Sequence, residues 1–140
     1  MTDEKPQPKL GESGEDYLEA ILRLSLAQPA VRSIDIARAL GFSKPSVSLA
    51  MKKLRKGGYI KKSEEGFITL TDKGRSAAEK IYARHRFFTE HLIEIGIDPQ
   101  TAESEACRIE HVISEESFQK LAEANLHAHH EKEETHHHES

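Results

Sequence analysis

The stretch EACRIEHVIS, residues 105–114, gathers side chains able to hold a metal ion. It carries the only cysteine of the chain, Cys107, followed by Glu110 and His111, with Glu103 four residues before the cysteine. Thiolate, carboxylate and imidazole are the donors that borderline divalent ions take. Positions 103, 107, 110 and 111 fall on one face of a helix with 3.6 residues per turn. Two other segments offer related groups: Asp16 and Glu19, spaced i, i+3, and His85. The mixture suits Fe²⁺, Mn²⁺, Co²⁺ or Zn²⁺. Each residue also has a plainer reading. Cys107 fits a buried small apolar residue, Asp16 and Glu19 fit first-turn acids facing a helix dipole, Glu110 fits an exposed helix acid, and His85, between Arg84 and Arg86, fits a surface position.

The elements that must position these groups are legible as capped helices. Ser13 is the expected N-cap of a first helix whose apolar stripe is Tyr17, Leu18, Ile21, Leu22 and Leu24, closed by Pro29. Ser33 is the expected cap of a short helix that Gly41 ends, and Ser43 caps the next, with Pro45 in its first turn. The second helix of this pair draws apolar positions from Val47, Leu49, Ala50, Met51 and Leu54 and stops at Gly57-Gly58, which is a helix-turn-helix pattern. Residues 59–70, YIKKSEEGFITL, read as a small hairpin, the wing of a winged helix. Thr71 then caps a long helix ending near Gly96, Asp98 caps a fifth and Ser114 a sixth. The expected fold is therefore mostly α: an N-terminal winged helix-turn-helix domain with a small β-hairpin wing over residues 13–75, then a helical metal-binding and dimerisation domain over 76–126. Residues 1–12 are expected to be a disordered leader and the His/Glu-rich residues 127–140 a disordered tail.

Composition narrows the function classes. A chain of 140 residues is long enough to bury a core. It has no run of about 18 apolar residues to span a membrane. The polar start MTDEKPQPKLGESG is no signal peptide, and a lone cysteine makes no internal disulfide, so a cytoplasmic location is expected. The net charge of −4 conceals an asymmetry: residues 31–63 hold nine Lys or Arg against one acid, Asp35, whereas residues 96–140 hold eleven acids against three bases. A basic block within an acidic protein points to a polyanion partner there.

In a helix-turn-helix the second helix enters the major groove with its N-terminal residues at the base edges. That end is Ser43, Lys44, Pro45 and Ser46, followed by Ser48, Leu49, Lys52 and Lys53. Serine and lysine reach bases or phosphates, while Pro45 and Leu49 offer apolar contact to thymine methyls. Lys52, Lys53, Arg55 and Lys56 suit phosphates, as does Arg32 ahead of the pair. A tri-helical core without a DNA role is the plainer alternative.

Residues 13–125 resemble the diphtheria-toxin-repressor family of metal-dependent repressors, including its short manganese-responsive branch. The marks are EDYLEAI, SIDIARALGFSKPSVS, ITLTDKG, RHRFF and, most specifically, EACRIEHVIS. The resemblance implies first-helix ligands at Asp16 and Glu19, a fourth-helix ligand at His85, and fifth-helix ligands at Cys107, Glu110 and His111. The chain is a hybrid of two branches. The manganese branch has a carboxylate in place of Cys107, and the iron branch has the cysteine but a methionine in place of Asp16. The ancillary site of the iron branch is also altered, with Thr89 at its glutamate position and Glu103 at its fifth-helix histidine position. The SH3-like third domain of longer members is expected to be absent.

The function implied is that of a homodimeric repressor with Fe²⁺ or Mn²⁺ as corepressor, in a mononuclear or binuclear centre, on a pseudo-palindromic double-stranded DNA operator of metal-homeostasis genes. No small-molecule substrate, membrane partner or catalysed reaction is expected. Three other readings remain: a metal-independent winged-helix regulator, a metallo-hydrolase on Cys107, Glu110 and His111, and a metal buffer drawing on the six tail histidines. The hydrolase needs an open coordination position and a substrate pocket, and no loop in the chain is long enough to build one.

Overall fold

The computed structural model describes residues 10–138, with the side chains of residues 12 and 127–138 outside the description. Residues 1–9 of the expected leader and residues 139 and 140 of the expected tail lie outside the described residues. The element order is α1 (Glu12–Ala27), α2 (Ser33–Leu40), α3 (Lys44–Lys56), β1 (Ile60–Lys62), β2 (Ile68–Leu70), α4 (Asp72–Glu94), α5 (Pro99–Val112) and α6 (Glu115–His138). The chain forms two compact units, one running to Tyr82 and the other starting at Ala83, so that α4 contributes to both. Among the described residues no helix is long and apolar enough to cross a membrane.

The first unit is a tri-helical core closed by the hairpin. Leu18 and Ile21 of α1, Ile36 of α2, Val47 and Met51 of α3, Ile68 of β2 and Ala78 of α4 are buried together. Burying each large aliphatic side chain contributes roughly 1.5–3 kcal/mol, which is what holds three short helices that would be marginal alone. Burial raises the Tyr17 phenol above its ordinary value, so it packs as a neutral ring, edge-on to Phe42. Leu49, read from the sequence as part of the α3 stripe, is 56% exposed, and the buried stripe is Val47, Met51 and Leu54.

Most expected caps are present. Ser43 accepts from the Ser46 N–H, Thr71 from Gly74, Asp98 from Thr101 and Ser114 from Ser117, each satisfying an orphan donor of the first turn. Two caps differ from expectation. Ser13 lies inside α1, whose cap position is Gly11 without a side-chain bond. Ser33 is the first residue of α2, and the cap is made from the other direction: the Asp35 carboxylate accepts the Arg32 N–H at 2.8 Å. Gly41 ends α2 with φ +70°, a conformation that favours glycine. The backbone of residues 127–138 continues α6 where an unstructured tail was expected.

The hairpin is antiparallel, pairing Ile60 with Leu70 and Lys62 with Ile68. Its inward residues are Ile60 and Ile68, and Lys61 and Lys62 face solvent. The Ile68 N–H also donates to the Val31 carbonyl at 2.8 Å, drawing the α1–α2 connection onto the sheet. The return from α3 is fastened to the start of α4. Thr71 donates from its N–H to Tyr59 O and from its hydroxyl to Gly58 O, and Lys73 donates to Gly57 O while its ammonium lies 4.4 Å from the Tyr59 ring centre. Gly74 passes so close that a Cβ there would stand 1.9 Å from Tyr59 O. Gly74→Ala must therefore move main chain, and it is expected to destabilise the protein by roughly 1–3 kcal/mol or more, read as a lower urea midpoint at unchanged slope.

Candidate metal centre and nucleic-acid interface

The α3 surface carries the candidate DNA contacts. Ser43, Lys44, Pro45, Ser46, Ser48, Leu49, Lys52 and Lys53 are all exposed, opposite the buried Val47, Met51 and Leu54. The cap engages Ser43 fully: its oxygen takes the Ser46 N–H and its hydroxyl donates to Ser46 Oγ at 2.9 Å. Ser43 thus shapes the helix start, and Ser46 keeps a proton to offer outward. Arg32 belongs to a different part of the unit, its guanidinium 4.6 Å from the Phe67 ring centre on the hairpin. The wing residues Lys61 and Lys62 are exposed on β1 and add to the cationic side chains of this unit. They stand in the basic block of the sequence.

The fifth helix brings its candidate ligands together as the 3.6 period requires. In the second unit, ligand atoms of Cys107, Glu110 and His111 lie within 4.8 Å of one another. Cys107 is exposed, against the buried apolar role open to it from sequence. Glu110 is 0% exposed and His85 is buried, against the surface roles open to them. Glu110 Oε2 lies 2.9 Å from His85 Nδ1, and Glu110 Oε1 lies 3.5 Å from His111 Nε2. Across the imidazole, His85 Nε2 is 3.9 Å from an oxygen of Glu103. His85 therefore stands between two carboxylates.

Among the described residues, Glu110 Oε1 and Thr89 Oγ1 are buried without a hydrogen-bond partner. A buried carboxylate oxygen left unsatisfied is costly and calls for a cation. Ligands bound at about 2.0–2.2 Å with angles near 90–110° sit roughly 3–3.5 Å apart. The 3.5 Å between Glu110 Oε1 and His111 Nε2 matches that span. The residues present thus fit a divalent metal ion, with a thiol, a carboxylate and an imidazole as donors.

Asp16 and Glu19 lie one turn apart on α1 of the first unit. Asp16 is half-buried and Glu19 is buried, its carboxylate 3.8 Å from Arg23. Sequence reasoning passed over Arg84. Its Nη1 donates to Glu110 O at 3.2 Å and to Ile113 O at 3.0 Å, and its Nη2 to Glu115 at 2.7 Å. Bonds to main-chain carbonyls leave no pattern of residue types from which Arg84 could have been found.

Residues 9–66 match the family described as iron dependent repressor, N-terminal DNA binding domain. Residues 71–138 match iron dependent repressor, metal binding and dimerisation domain. A helix-turn-helix-type transcriptional regulator of Methanocaldococcus jannaschii is 35% identical over 114 residues, covering 80% of this chain and 91% of that protein. The iron-dependent repressor IdeR of Mycobacterium tuberculosis is 31% identical over 81% of this chain and 50% of its own length. A solved manganese-dependent transcriptional repressor in complex with manganese matches with a TM-score of 0.70 and 30% identity, over 77% of this chain and 50% of its own. The chain thus aligns with half the length of these last two proteins.

Lys53→Ala is expected to weaken binding to duplex DNA by a similar factor across sequences and to flatten the dependence of log K on log salt by about one unit. Ser46→Ala is expected to change sequence preference at an unaltered slope. Fluorescence anisotropy at several salt concentrations, on duplexes selected from a randomised pool, distinguishes the two.

Proposed function

The chain belongs to the iron-dependent repressor family of metal-dependent transcriptional repressors, and on that premise we propose that it is a cytoplasmic homodimer with Fe²⁺ or Mn²⁺ as corepressor. The family is one of DNA-binding regulators, not of enzymes. The observation that carries the metal reading is Glu110 Oε1, buried and without a hydrogen-bond partner beside His111 and Cys107.

In this reading Cys107, Glu110 and His111 hold the ion from α5. Asp16 and Glu19 join them from α1, and His85 and Glu103 complete a second, adjoining set of donors. When bound, the ion supplies positive charge on which anionic side chains of both units converge. In this reading the ion offsets the repulsion among these carboxylates, which is strong in a poorly solvated setting. Asp16 is thus the residue that makes metal binding matter to DNA. It sits on α1, whose Leu18 and Ile21 share one core with Val47 and Met51 of the recognition helix α3. A restrained α1 restrains α3. In a dimer, two restrained α3 helices meet successive major grooves, about 34 Å apart, on a pseudo-palindromic operator. The regulated genes in this reading are those of metal-ion homeostasis.

The donor set leans two ways. The Cys107 thiolate favours softer ions such as Fe²⁺, and the Asp16 and Glu19 carboxylates favour Mn²⁺. Operator binding titrated with Mn²⁺, and with Fe²⁺ under anaerobic conditions, tests the proposal. Cys107→Glu is expected to shift activation towards Mn²⁺, and Cys107→Ala to weaken activation by both ions. Asp16→Ala is expected to lose activation while a metal ion still binds the α5 donors. Full metal-dependent DNA binding by Asp16→Ala would reject the link through α1.

A further inference from the structure

Arg84 performs three tasks at once. Its Nη1 caps the C-terminal end of α5 through the carbonyls of Glu110 and Ile113, at 3.2 and 3.0 Å. Its Nη2 bonds Glu115 of α6 at 2.7 Å, and its guanidinium lies 5.5 Å from the Phe118 ring centre. The Arg84 side chain is only 14% exposed, so its two bonds to main-chain carbonyls are partly shielded from water, whereas Glu115 is 52% exposed and its ion pair is closer to an ordinary surface pair. The last carbonyls of a helix have no partner within it, and here one planar cation takes two of them. Lysine has no such fork.

The Glu110 carbonyl belongs to the residue whose carboxylate is the buried centre of the cluster. The next residue of α4, His85, holds the other end of Glu110, its Nδ1 2.9 Å from Oε2. Two successive residues of α4 thus grip one residue of α5, Arg84 by the main chain and His85 by the side chain. With backbone and Oε2 both held, Glu110 Oε1 has little freedom left.

We propose that Arg84 is a positioning residue for the metal centre, which fixes the Glu110 main chain so that Oε1 is presented to the ion beside Cys107 and His111 before any ion arrives. The inference rests on the metal reading above and adds a residue that touches no ligand atom. Groups that orient metal ligands typically change affinity by about 10–100-fold when lost. The chemistry favours a guanidinium here for a second reason. It places positive charge at the negative end of the α5 dipole, next to a cluster of acids.

The test uses the full-length protein and Co²⁺ as probe, because the Cys107 thiolate gives a charge-transfer band that reports coordination directly. Arg84→Met removes the cap, Arg84→Lys keeps the charge without the fork, and Lys80→Met, an exposed cation earlier on the same helix, controls for charge. Far-UV circular dichroism and thermal melting of the metal-free proteins identify the folded variants. Arg84→Met is expected to bind Co²⁺ about tenfold or more weakly and to show a shifted d–d and charge-transfer spectrum at saturation. Arg84→Lys is expected to recover part of the affinity without the parent spectrum, and Lys80→Met to match the parent in both. Parent-like affinity and spectrum in either folded Arg84 variant would overturn the proposal. If Arg84→Met does not fold, Arg84→Lys alone decides on the same two readouts. Failure of the parent protein to bind Co²⁺ would instead reject the metal reading itself.

Discussion

The second unit is organised around a carboxylate with no access to water. Glu110 completes a buried stripe of α5 whose other members, Ala102 and Ala106, are among the smallest side chains available. All three are fully buried. Solvent-free charge must be answered by specific partners. One oxygen is answered by His85 and the other is not. Such a group is kept where a ligand repays it, and in the proposed reading the same atom that weakens the metal-free unit would give a metal its hold.

The first unit rests on a different constraint, the approach of main chain to main chain at Gly74 and Tyr59. The bonds from Thr71 and Lys73 to residues 57–59 make the end of α3 and the beginning of α4 a single joint. The recognition helix is thus held at its C-terminal end by α4 and along its buried face by α1 and α2, while its N-terminal, outward residues carry no packing duty. That division leaves the exposed residues of α3 available for the proposed contact with DNA.

Much of this was legible in the sequence, and what was missed has physical reasons. Caps such as Ser43, Thr71, Asp98 and Ser114 are decided within four residues, so a local reading finds them. Ser33 misled because Asp35 reaches back to the Arg32 N–H and makes the cap in reverse. Leu49 was open to two readings, an apolar stripe position and an outward contact, and its exposure agrees with the second. The convergence of Cys107, Glu110 and His111 follows from helical spacing, but the burial of Glu110 and His85 depends on contacts between helices and leaves no such trace. The expectation of an unstructured tail over residues 127–138 rested on the lack of apolar periodicity, which argues against packing and not against helix.

The joint at Gly74 has one more consequence. Because its two faces are backbone, the separation between them does not depend on which side chains the hairpin carries. The exposed residues 61–65 can therefore be exchanged or recharged without shifting α3 against α4, provided Tyr59 and Gly74 keep their places. The outward part of the wing is in this sense a replaceable part on a fixed mounting, while Ile60 and Ile68 stay tied to the core beneath it.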